Sequence, residues 1–204
     1  MAEGERGSLV GMALQAPPEV RTCRFTADEV WQMVDVGIID ENERLELIDG
    51  EICLVSPSGW DHAWVVEELG NRLMRLYGND YIVRMQSTVG GSKHYLPELD
   101  VGVRPSRGPW DRERRHPRVD EFLVIVEVSA TGQRLDRRKV RLYAEAGTPV
   151  YWIVDIPTRS VTVHQGPRTD GTWERVTEVA ESGELTVPGI DARVALKEIF
   201  PAEA

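Results

Sequence analysis

Cysteine, histidine, long apolar runs and positive charge are all in short supply in this 204-residue chain. The two cysteines, Cys23 and Cys53, stand alone, with no CxxC and no Cys/His cluster around them. This excludes a zinc site built on thiolates and argues against a disulfide scaffold. No apolar run approaches the ~20 residues that cross a bilayer as a helix. The first residues carry acids and lack an apolar segment, so they do not read as a secretory signal, and a cytoplasmic protein is the expectation. Aromatics make up only 7%, yet 28% charged and 41% hydrophobic residues form a globular mixture, too rich for a disordered or collagenous chain. Residues 1–20, rich in Gly, Pro and Ala without periodicity, read as a tail, and 21–204 as one domain long enough to bury a substantial core.

The charge deficit is 24 Lys+Arg against 34 Asp+Glu, a formal net charge of -10. Phosphate binding is driven largely by positive charge, so this balance speaks at first against a nucleic-acid partner. The bases are unevenly placed, however. Residues 104–118 (RPSRGPWDRERRHPR) hold six Arg against two acids, and residues 134–141 (RLDRRKVR) hold four Arg and one Lys against one acid. Two short segments therefore carry 11 of the 24 bases, and Arg112, Arg114, Arg115, Arg134, Arg137 and Arg138 are candidates for contact with a nucleic-acid backbone.

What is present has clear periodicity. Thr26-Ala-Asp-Glu29 is a capping box opening a short helix that stops by Gly37. The runs RLELI (44–48) and EICLV (51–55) flank Asp49-Gly50, a strong hairpin signal. A second helix is expected from about Asp61 to Tyr77, with Val65, Val66, Leu69, Leu73 and Leu76 on one face. Strands follow near 81–89 and 97–104, then an Arg/Pro-rich loop, then FLVIVEV (122–128), whose apolar run belongs in the middle of a sheet. Residues 134–146 form a helix capped at Gly147, and VYWIVDI (150–156) is another buried strand. From Thr158 short strands alternate with Pro/Gly turns, and a terminal helix is expected near 194–199. A mixed sheet, a crossover helix, a parallel strand and a meander together make an α/β or α+β domain.

The candidate functional residues are those that break these patterns. Glu127 ends a five-residue apolar run, so its carboxylate needs a cation, a metal or a proton. In Leu99-Asp100-Val101-Gly102-Val103 the odd positions form the apolar face, which sets Asp100 on the other with Gly102 beside it, leaving room for an approach. Lys139 lies in the row Leu135, Lys139, Leu142, Ala146 that faces the sheet, with Asp136 and Tyr143 one turn away. His62 opens the apolar face of the second helix, and Glu46 alternates with Leu45 and Leu47 on its strand. Two carboxylates on adjacent strands with one lysine suit Mg²⁺, which binds through one or two carboxylates and keeps several waters. Such a metal activates water and neutralises transition-state charge, the equipment of phosphodiester hydrolysis.

The ordered set Arg44-Leu-Glu-Leu-Ile-Asp-Gly-Glu51, Ser56-Pro-Ser with His62, Pro97-Glu-Leu-Asp100-Val, Val126-Glu127-Val-Ser129, Asp136-Arg-Arg-Lys139, Leu142-Tyr-Ala-Glu-Ala-Gly147 and Tyr151-Trp-Ile-Val-Asp155 resembles the Uma2 family of restriction endonucleases, within the PD-(D/E)XK nuclease superfamily. The resemblance covers roughly residues 25–165. It implies a restriction-endonuclease-like mixed sheet flanked by helices, here followed by a C-terminal hairpin or meander. It also implies a DNA substrate and Mg²⁺ (or Mn²⁺) held by Asp100, Glu127 and the backbone carbonyl of Val128. Where the superfamily pattern has lysine, two positions after Glu127, this chain has Ser129, and Leu99 stands where proline is frequent. Lys139 on the following helix matches the placement that relatives with this departure use. Glu46 and His62 match the family's additional acidic and histidine positions. The expected activity is a Mg²⁺-dependent DNA endonuclease. The alternatives are a non-catalytic DNA-binding or accessory protein that keeps the fold, and a metal-dependent hydrolase of another phosphoester. By analogy with enzymes that cut both strands, a homodimer is an expectation.

Overall fold

The computed structural model describes residues 22–55, 58–130 and 134–202, with residues 110–111 and 134–137 described through their backbone alone. The elements in chain order are α1 (Ala27–Asp35), β1 (Leu45–Ile48), β2 (Glu51–Leu54), α2 (Trp60–Tyr77), β3 (Tyr81–Thr88), β4 (Glu98–Pro105), α3 (Pro109–Glu113), β5 (Val124–Ser129), α4 (Arg134–Glu145), β6 (Val150–Asp155), β7 (Ser160–Pro167), β8 (Trp173–Ala180), β9 (Glu184–Thr186) and β10 (Arg193–Ala195). Strands β3 to β8 form one sheet in sequence order. Only the β5–β6 pairing is parallel, because α4 carries the chain back across the sheet between them. The mixed α+β sheet expected from the pattern is therefore the one found.

Local signals account for the element ends. Thr26 accepts from the Glu29 N–H at 3.2 Å while the Glu29 carboxylate accepts from the Thr26 N–H at 2.8 Å, the reciprocal cap that starts α1. Asp49 and Gly50 both have positive φ, 52° and 77°, the backbone that a two-residue type I′ turn between β1 and β2 requires.

The sheet is packed on both faces. On one, α2 places Val65, Val66, Leu69, Leu73 and Tyr77 against Val101, Val103, Val126 and Val128. Leu185, Val194 and Leu196 from the C-terminal segment join this core. On the other face, Leu142 and Tyr143 of α4 pack with Ile125, Tyr151, Phe122 and Ile48. Strand β5 is buried along its whole length, as an apolar run in mid-sheet must be. No helix among the described residues is long and apolar enough to cross a membrane.

Four expectations are corrected. Residues 194–199 are not a helix: Arg193–Ala195 pair with β9 and only a 3₁₀ turn follows at Leu196–Glu198. Val194 and Leu196 are both buried at a spacing of two, the strand period, in a segment too short to show a helical one. The Arg/Pro-rich segment is not all loop, since α3 opens at Pro109, a residue preorganised for a first helical turn. In α2, Tyr77 takes the inward position expected of Leu76, which is 40% exposed; the Tyr77 hydroxyl donates to the Pro188 carbonyl at 2.6 Å.

The fourth correction concerns β4. Val101 and Val103 face α2, but Leu99 packs in the opposite core, so the alternation breaks at Asp100. Gly102 gives no room for a ligand: a Cβ there would stand 2.7 Å from the Leu99 side chain and 2.9 Å from the Phe122 ring. Its small size serves packing. Gly102→Ala is therefore expected to lower stability by about 1–3 kcal/mol, as overpacking does; an unchanged urea midpoint would contradict this account of the β4–Phe122 contact.

Candidate active site

Glu127 lies on β5 and points to the α4 face, where it is 5% exposed. A carboxylate in that position needs donors, and α4 supplies two from one face, because Lys139 and Tyr143 are one turn apart. The Lys139 ammonium donates to Glu127 Oε2 at 2.8 Å, and the Tyr143 hydroxyl to Glu127 Oε1 at 2.7 Å. Lys139 reaches a second carboxylate, Glu46 of β1, also at 2.8 Å. Glu46 Oε1 in turn accepts from the Glu98 N–H at the start of β4, at 2.8 Å. One cation thus faces two carboxylates inside the protein, with Glu46, Glu127 and Lys139 all less than a tenth exposed.

Asp100 stands where β4 leaves β5, since their ladder ends at Val101↔Val126. Its Oδ2 accepts from the Val128 N–H at 2.8 Å and lies 3.2 Å from His62 Nε2 on the first turns of α2. The contact requires the proton on Nε2, leaving Nδ1 buried with no partner among the described residues. On a strand, the N–H and C=O of one residue leave on the same side. The Val128 carbonyl therefore faces the gap beside Asp100. The structure brings Asp100, Glu127, Val128, Lys139, Glu46 and His62 to one place, the end of β5 from which the chain crosses over to α4.

The electrostatics follow from burial and the excess of anions. Burial, with Asp100 and Glu46 nearby, pushes the Glu127 carboxyl up to about 8 in spite of the attraction of Lys139. Burial alone would lower the Lys139 ammonium, but Glu127 and Glu46 outweigh it and hold the ammonium well above the usual lysine range. The two partners thus shift the same way, which is what one cation shared by two carboxylates produces: the lysine keeps its charge, and the surplus negative charge favours a proton on Glu127.

The donor set fits a hard divalent cation. Asp100 Oδ1 has no protein partner among the described residues, and each Glu127 oxygen takes one donor, leaving a lone pair on each. No group of three His, Cys, Asp or Glu among the described residues is arranged as a metal cage. The residues that could hold a cation here are Asp100, Glu127 and the Val128 carbonyl, with waters completing its shell as Mg²⁺ prefers.

The arginines divide. Arg112 and Arg114 are exposed on the segment carrying α3. Arg115 is bound to Glu113 and, through two donors at 2.9 and 2.7 Å, to Glu121. Arg138 donates to the Ile48 carbonyl at 3.0 Å and to Glu51 at 2.9 Å, and Arg141 holds both Asp49 oxygens at 2.8 Å, so these two clasp the β1–β2 hairpin onto α4. The side chains of Arg134 and Arg137 lie outside the described residues. Spacing sets Tyr143 beside Lys139 on α4 but does not show that its hydroxyl reaches Glu127, which belongs to a strand that only the tertiary fold brings there.

The Uma2 family, "Putative restriction endonuclease", matches residues 28–196. The fold is similar to that of "a putative nuclease belonging to DUF820" from Anabaena variabilis, with a TM-score of 0.69, 14% identity, and coverage of 86% of this chain and 97% of that one. At that identity the likeness is one of fold. No curated protein matches the chain by sequence.

A carboxyl whose folded value is raised opposes folding once it must ionise. Glu127 therefore takes stability away as pH rises from its ordinary range near 4.5 to about 8. Glu127→Gln keeps the shape and cannot ionise. Its melting temperature relative to wild type should climb across that window and level off above it; a difference independent of pH would contradict a Glu127 carboxyl raised by burial and its acidic neighbours.

Proposed function

The chain belongs to the Uma2 family, and from that premise we propose that it is a Mg²⁺-dependent endonuclease hydrolysing DNA phosphodiester bonds. The observation that carries this reading is the meeting, at one strand end, of Asp100, Glu127 and a lysine buried deeply enough to touch Glu127 at 2.8 Å. A module that only bound DNA would be better served by surface cations, and burying an ion pair is not a route to stability in itself.

Each residue has a part. Asp100 and Glu127 would hold the divalent cation, with the Val128 carbonyl beside them. When bound there, such a cation would supply charge neutralisation at the phosphate and would lower the pKa of a water. Lys139 would orient the attacking water and stabilise negative charge growing on the phosphate, while Glu46 holds the ammonium in place. His62 fixes the Asp100 carboxylate through Oδ2 and leaves Oδ1 open to the cation. The exposed Arg112 and Arg114 lie on the segment that continues from β4, and would meet the DNA backbone outside the centre.

Supercoiled plasmid incubated with Mg²⁺ or Mn²⁺ tests the assignment. Wild type should nick it. Asp100→Asn and Glu127→Gln should each reduce the rate at least about 100-fold, the loss typical of removing one preorganised electrostatic group, with folding confirmed by circular dichroism. Nicking that both variants retain would place the activity elsewhere, and no nicking with any divalent cation would remove the nuclease reading.

A further inference from the structure

We infer that Tyr143 is a positioning residue that fixes the plane of the Glu127 carboxylate and thereby sets the affinity of the Asp100–Glu127 pair for a divalent cation. The inference rests on the metal-dependent reading above and goes beyond it, since Tyr143 touches neither cation nor substrate. A glutamate on a strand can rotate about its last bond, and a single donor leaves that rotation open. Here two donors from successive turns of one helix hold different oxygens: Lys139 takes Oε2 at 2.8 Å and Tyr143 takes Oε1 at 2.7 Å. Together they define the carboxylate plane.

The phenol itself cannot swing away. Tyr143 is fully buried, with Tyr95 edge-on at 5.6 Å and 80° and Tyr151 against it at 4.6 Å and 35°. In so aromatic a pocket, phenylalanine would fill the same space without carrying a hydroxyl out of water, and a buried hydroxyl is unfavourable unless it is bonded. The bond it makes goes to the Glu127 oxygen that Lys139 leaves free. One donor on each oxygen still leaves each a lone pair, so Tyr143 orients the ligand without blocking it. Groups that orient a metal ligand from behind typically change metal affinity by about 10–100-fold when removed.

The test is Mn²⁺ binding by titration calorimetry to wild type, Tyr143→Phe and Glu127→Gln, with thermal melting of each in the absence of metal. Tyr143→Phe should stay folded, and its Kd for Mn²⁺ should rise about 10-fold or more. Its nicking rate should fall at low Mn²⁺ and recover as Mn²⁺ is raised, a recovery that a loosened fold would not show. A Kd equal to that of wild type, or a rate deficit that Mn²⁺ leaves unchanged, overturns the role given to Tyr143 and leaves the nuclease reading standing. If wild type binds Mn²⁺ no better than Glu127→Gln, the metal assignment falls, and the positioning role falls with it.

Discussion

An ammonium buried between two carboxylates cannot move without moving the three elements that supply them. Lys139 belongs to α4, Glu127 to the central strand β5 and Glu46 to the β1–β2 hairpin, so this one contact ties helix, sheet and hairpin together. Stability alone does not account for this contact, because burying ions is unfavourable in itself; the proposed hydrolysis would give it a use. Removing Lys139 alone would leave two carboxylates buried without their cation, a loss of about 3–5 kcal/mol. Other contacts exist to hold it. Arg138 and Arg141 fasten the hairpin turn to α4, and the Glu98 N–H holds Glu46 from β4. These arginines come from a basic run that simple charge arithmetic would assign to DNA.

Asp100 supplies the second half of the centre by a different device. Its carboxylate takes the Val128 N–H at the point where β4 and β5 stop pairing, so an end of a β ladder becomes an anionic corner. The break in alternation between Leu99 and Val101 is the local distortion that permits this, and Gly102 is required where Leu99 and Phe122 close over the strand. Packing and site geometry are thus two results of one irregularity. The net charge of -10 takes on a different meaning in this setting. Part of the acidic surplus is concentrated beside Lys139, where burial, with Asp100 and Glu46 adding to it, raises the Glu127 carboxyl.

The legible parts of the sequence were those governed by neighbours along the chain. The Asp49-Gly50 turn follows from backbone conformation, Lys139 fell in the inward row of its helix by spacing, and Glu127 stood out because it ended an apolar run. Glu46 was harder to read, because alternation on β1 says that it faces away from Leu45 and Leu47 but cannot say that α4 covers that face as well. The crossing of Leu99 to the opposite core and the pairing of Arg138 with the hairpin depend on tertiary contacts between segments distant in sequence. At Val194, the pattern was too short for periods of 2 and 3.6 to be told apart.

On the proposed reading, Asp100 and Glu127 form a divalent-cation site with the Lys139 ammonium beside it. Crystals soaked in Mn²⁺ and measured at a wavelength where manganese scatters anomalously would locate the cation. An anomalous peak is expected within about 2.0–2.3 Å of oxygens from both carboxylates, the range for a hard divalent cation of this size, with Lys139 still against Glu46. A peak elsewhere, or none at a concentration that supports nicking, would contradict it.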